Sequence, residues 1–75
     1  MSTDNYIYGR FNNNLIIRIP DIQYDIHYRI GMYDYPKRMW IDLSEKLSQK
    51  IYNAIHSERV PFERMSKVNV FAEII

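Results

Sequence analysis

Seventy-five residues make one domain spanning residues 1–75, and 47% of them are hydrophobic. The chain has no cysteine, which excludes a disulfide-stapled scaffold and fits a reducing compartment. The formal net charge is +1 with the signs mixed along the chain, which excludes the basic run of a protein held to nucleic acid by counterion release.

At this length only about 60% of the unfolded surface can be buried. A domain this small often gains burial by self-association, so a homodimer or an obligate partner is expected. The polar start, Met1-Ser2-Thr3-Asp4-Asn5, has neither a basic nor an apolar leader region, and apolar runs fall far below the ~20 residues of a membrane span. The expected location is the cytoplasm, with no membrane contact.

In chain order, the first expected strand is Asn5–Phe11, with Ile7 and Phe11 on one face and Tyr6, Tyr8 and Arg10 on the other. Asn12-Asn13-Asn14 reads as a hairpin turn, because asparagine tolerates left-handed backbone. Leu15–Ile19 is the second strand, ended by Pro20-Asp21. From Ile22 to Ile30, apolar and polar residues alternate strictly, which predicts a third strand with one buried and one wet face.

Gly31–Lys37 reads as a loop, and Arg38–Ile41 as a short strand or an extended lead-in. Asp42 is the expected N-cap of a helix, with Glu45 completing a capping box. Leu43, Leu47, Ile51, Ala54 and Ile55 form its apolar stripe, and it ends before Val60-Pro61. Lys67–Ile75 reads as a last strand, with Val68, Val70, Ala72 and Ile74 on one face. The order β-β-β-(β)-α-β predicts an α+β fold: a small, mostly antiparallel sheet with one helix across a face.

No assembled catalytic, metal or cofactor set appears in the sequence, so neither enzyme activity nor a cofactor is expected. Asp25, His27 and Arg29 could imitate an acid–base relay, but also suit a solvated strand face. His56 suits the C-terminal end of the helix dipole. Neither histidine has a second ligand at helical metal spacing, and Gly9 and Gly31 are isolated rather than part of a phosphate loop. Ser44, Ser48 and Ser57 read as ordinary helix residues.

The aromatic content is more telling: seven tyrosines, three phenylalanines and one tryptophan. Tyrosine, tryptophan and arginine dominate binding hot spots. The candidate partner-binding residues are therefore Tyr6, Tyr8 and Arg10 on an outward strand face, and Tyr33, Asp34, Tyr35, Arg38 and Trp40 before the helix. Trp40 and a loop tyrosine also suit a plug at the sheet–helix joint. An outward aromatic–arginine face, with Arg18 and Arg29 nearby, allows a second class of function, the stacking of single-stranded nucleic acid.

Length, richness in Asn, Ile and Tyr, absence of cysteine and a lone helix among strands resemble the small host-takeover proteins of lytic, especially staphylococcal, phages. Within that group the chain is similar to inhibitors of the bacterial sliding clamp. Lys67-Val68-Asn69-Val70-Phe71 places aliphatics and an aromatic where clamp-binding peptides have them, with Lys67 in place of their glutamine. The same segment also reads as a core strand. The resemblance implies an inhibitor that keeps the clamp from loading on DNA or from contacting the polymerase. It also implies a second mode, occupation of the ring's DNA channel, for which Asp21, Asp25 and Asp34 are the available acids.

Overall fold

The computed structural model describes residues 6–21 and 29–75. Among the described residues, five strands form one open antiparallel sheet: β1 (Tyr6–Phe11), β2 (Leu15–Pro20), β3 (Gly31–Asp34), β4 (Met39–Asp42) and β5 (Phe62–Met65). The same described residues hold two helices, α1 (Glu45–His56) between β4 and β5, and α2 (Lys67–Ile74) after β5. The spatial order is β4-β3-β2-β1-β5, so the α+β class and the antiparallel sheet are as expected.

Asn12 and Asn13 both take positive φ, at 55° and 67°, and Asn14 N–H donates to the Phe11 carbonyl at 3.3 Å. Two successive left-handed residues twist the chain in the sense that antiparallel neighbours need. The hairpin sets the register of β1 on β2, with Ile7 opposite Ile19 and Phe11 opposite Leu15. Asn12 N–H also donates to the Pro61 carbonyl at 2.8 Å, which extends the contact of β1 with β5.

The two faces of the sheet carry separate cores. On one face Ile17, Ile19, Ile30 and Ile51 are buried, with Ile7, Phe11, Leu15, Met32, Leu43, Tyr52, Ile55 and Phe62 packed around them. On the other, Tyr8, Ile16, Tyr33 and Val70 are buried, with Trp40, Met65, Phe71 and Ile74 against them. Helix α1 supplies the first core and α2 the second. This explains why Ile16 and Ile17, neighbours on β2 that point to opposite faces, are both fully buried.

Several expected elements differ from those observed. Residues 67–74 form a helix, not a strand: Ser66 is its N-cap, its side chain accepting from Asn69 N–H at 3.1 Å. Val70, Phe71 and Ile74 then face the sheet at helical spacing, while Val68 and Ala72 point away. The valine alternation is overridden by tertiary packing. One helix on one face thus becomes two helices on two faces.

Gly31–Asp34 is a strand rather than a loop, and only 35–38 turn. Arg38, at φ 53°, closes that turn, and Asp34 Oδ1 accepts from Lys37 N–H at 3.1 Å. Residues 22–28 of the expected third strand lie outside the described residues. The strand Phe62–Met65 was not expected from the sequence, because Glu63 and Arg64 interrupt its apolar signal.

The N-cap of α1 is Ser44, whose Oγ accepts from Leu47 N–H at 3.1 Å; Asp42 instead ends β4 opposite Gly31. The inward stripe is rotated from the expected one. Leu47 is 44% exposed, whereas Ser48 is fully buried and its Oγ accepts from the Ile30 N–H at 2.8 Å. That bond satisfies a backbone donor that the start of β3 would otherwise bury unpaired. At its other end α1 closes on Glu58 at φ 58°, with Glu58 N–H donating to the Ile55 carbonyl and Arg59 N–H to the Ala54 carbonyl, both at 3.1 Å. This is a left-handed helix stop made without glycine.

Candidate functional site: the aromatic layer beneath α2

Alternation along β1 to β4 gathers Tyr8, Tyr33 and Trp40 on the face that α2 covers. Tyr8 and Trp40 have ring centroids 5.7 Å apart, Tyr33 and Trp40 5.4 Å, and Tyr8 and Phe71 6.0 Å. The rings are tilted or edge-on, the arrangements their quadrupoles favour. Val70 seats α2 in this layer with no exposed surface.

Two of the candidate binding residues therefore need correction. Tyr8 and Tyr33 are 5% and 7% exposed, so they hold α2 rather than face outward. The sequence reading had no helix to place over them. Trp40 is half-buried and takes the plugging role, between Tyr8 and Tyr33. Arg10 is on the expected face, but its guanidinium donates to Glu73 of α2, with Glu63 of β5 at 4.0 Å. Helix α2 thus roofs Tyr8 of the aromatic–basic platform expected for nucleic-acid stacking, and two of its cations, Arg10 and Arg18, lie in ion pairs with Glu73 and Asp42. Asp34 is half-buried and spent on its own turn.

Of the remaining residues, Tyr6 and Tyr35 form a rim beside α2, and Arg38 lies in the 35–38 turn. Tyr6 and Tyr35 are 40% and 47% exposed, and Arg38 is exposed. Between Tyr6 and Trp40 lies Arg18, a residue missing from the candidate set, with its guanidinium carbon 4.6 Å and 4.9 Å from the two ring centroids. Its terminal nitrogen is 3.9 Å from Asp42 Oδ1. Gly31 makes this path possible, because a Cβ there would lie 2.9 Å from Arg18 Nε. The sequence alone did not point to this residue, because the pairing of Arg18 with Gly31 is a long-range register and Gly31 reads as a loop residue.

Tyr35 links the rim to α2. Its ring meets Tyr33 edge-on at 5.2 Å, and its hydroxyl donates to Glu73 Oε2 at 3.5 Å. Burial, and then the Glu73 carboxylate, push its phenol above the usual 10.0, with Arg10 acting in the opposite direction. The folded chain therefore keeps a proton that the unfolded chain releases, and stability falls as pH rises past the ordinary phenol value. Ultraviolet titration, with Tyr35→Phe as the subtraction, should show a raised pKa that drops in Glu73→Gln. It should remain above the ordinary value there, because burial persists. An unshifted phenol in the wild type would remove Glu73 as its neighbour.

A cleft of about 440 Å³ opens beside Tyr6, lined by Tyr6, Ile7, Tyr8, Arg64, Met65, Ser66 and Lys67. On α1, His56 meets Tyr52 edge-on, with centroids 4.3 Å apart, while His27 lies outside the described residues. Among the described residues no three His, Asp or Glu side chains are grouped to hold a metal ion, and no helix is long and apolar enough to cross a membrane.

No protein-family model, curated protein or solved structure matches this chain.

Proposed function

We propose that the chain is a non-catalytic binding protein that engages another protein through the outer side of α2 and its aromatic rim. One observation carries this reading: exposed Tyr6, Tyr35 and Val68 flank or cap a helix whose inner side is fully committed to the core. Val68 is 77% exposed although apolar, and the two tyrosines offer large rigid contact area with a polar tip. Rigid support by the layer beneath lowers the entropy lost on binding.

The partner to test first is the bacterial sliding clamp, named by the phage-protein resemblance, with inhibition of clamp loading as the outcome. The binding mode differs from that of an extended clamp-binding peptide. Residues 67–71 are the start of α2, and Val70 is not available to a groove. Roofing of the stacking layer favours a protein partner over single-stranded nucleic acid.

Titration calorimetry with purified sliding clamp tests this. Binding is expected, with Tyr35→Ala weakening it by about 2 kcal/mol, a hot-spot-sized loss. No heat at any ratio would reject the clamp as partner. Clamp binding that survives Tyr35→Ala, Tyr6→Ala and Val68→Asp unchanged would reject this face.

A further inference from the structure

Strand β4 is one outer edge of the sheet, and among the described residues it pairs only with β3. The phase of that ladder is fixed by the 2.9 Å bond from Leu43 N–H to the Ile30 carbonyl. Bonded and non-bonded positions alternate in an antiparallel pair. Ile41 and Met39 therefore turn their backbone groups toward β3, opposite Met32 and Asp34, while Trp40 and Asp42 turn theirs outward.

Natural sheet edges are blunted by lysine, proline, bulges or a covering segment. Met39-Trp40-Ile41-Asp42 has no lysine, proline or glycine, and Met39 is 51% exposed. The opposite edge carries two exposed charges, Glu63 and Arg64, in mid-strand, whereas β4 has the single charge Asp42 at its end.

We propose that β4 pairs antiparallel with β4 of a second copy of this chain, about a twofold axis through Trp40, making one sheet continuous across two protomers. A twofold axis normal to the sheet keeps each face on its own side, so opposed residues must share a face. Outward-directed backbone groups then meet in only two central registers, one about Trp40 and one about Ile41.

Charge selects the first. Centred on Trp40, the register sets Arg38 against Asp42 of the second copy, and the symmetry repeats that pair. Both side chains are exposed, and Asp42 has only a loose 3.9 Å contact with Arg18. The same register sets Met39 against Ile41 of the second copy, which covers the exposed methionine. Centred on Ile41, Asp42 would face Trp40 instead, and Arg38 would lie beyond the paired segment. Because Arg38 sits in left-handed backbone at the end of the turn, it contributes through its side chain, and the Trp40–Trp40 pair carries the backbone bonds of the ladder. The edge shares Trp40 with the layer beneath α2, but self-association is read without any partner present, so the dimer stands or falls independently of the partner proposed above.

Sedimentation equilibrium of the full chain across a concentration series tests the proposal. A dimer is expected. Arg38→Asp and Asp42→Arg should each weaken it by at least about tenfold, as for opposed charge pairs at an interface. The double variant R38D/D42R should recover to near wild type, which a merely structural effect of either change would not produce. Met39→Lys, at an exposed position that leaves the fold intact, should also disrupt it. A chain that stays monomeric throughout would overturn the proposal. So would a dimer indifferent to Met39→Lys and both charge changes, or a double variant no tighter than the singles. Far-UV circular dichroism confirms that each variant is folded.

Discussion

Gly9→Ala is expected to destabilise the fold by about 3 kcal/mol, at the upper end of overpacking costs. Gly9 lies in the middle of β1, between β2 and β5, and is buried. A Cβ there would stand 2.4 Å and 2.5 Å from Phe62 Cζ and Cε1, and 2.6 Å from the Glu63 carbonyl oxygen. The Phe62 ring occupies the space that a side chain would need. It could swing away, at the expense of its packing against the isoleucine core. The Glu63 carbonyl is less free, because the β1–β5 ladder fixes it. The usual backbone gain of alanine over glycine, about 0.5–1 kcal/mol, offsets only part of this. Urea unfolding measures the difference. In a Phe62→Leu background the same change should cost less, but still more than zero, because the carbonyl remains. A loss below about 0.5 kcal/mol in the wild-type background would mean that Phe62 does not cover Gly9.

That glycine also marks the boundary of what the sequence discloses. The asparagine turn, the β1–β2 hairpin and the existence of α1 were legible because each rests on local chemistry: left-handed asparagine, alternation and helical periodicity. The misread segments depend on contacts made elsewhere. Gly31 looked like a loop residue, yet it is a strand position emptied for Arg18. Val68 and Val70 alternate as strand residues do, but Ser66 caps a helix and the tyrosine layer needs Val70, Phe71 and Ile74 together. Ser48 looked like an ordinary helix residue because its partner, the Ile30 N–H, is eighteen residues away. Burial likewise divides the candidate residues in a way their identities do not reveal: Tyr8 and Tyr33 support, Trp40 plugs, and Tyr6, Tyr35 and Arg38 remain at the surface.

Val70→Asp separates the inner from the outer side of α2. Val70 is fully buried among Tyr8, Ile16 and Tyr33. A carboxylate there has no partner in an aromatic and aliphatic layer. The expected loss is about 3 kcal/mol or more, as for an unpaired charge in a core. Domains of this size have roughly 5–10 kcal/mol in total, so the variant should either unfold at much lower urea or release α2 as a unit. The lone tryptophan distinguishes these outcomes. Release of α2 would uncover Trp40 and shift its emission to the red before the sheet unfolds, whereas global loss would move Trp40 emission and far-UV circular dichroism together. Unchanged stability with unchanged Trp40 emission would mean that α2 does not pack on the aromatic layer. Val68→Asp is the control two residues away. Its site is 77% exposed, so stability should stay within about 0.5 kcal/mol of wild type. Its effect should appear instead in binding to the partner. One helix thus carries two separable demands, and the pair of variants assigns each demand to its own side.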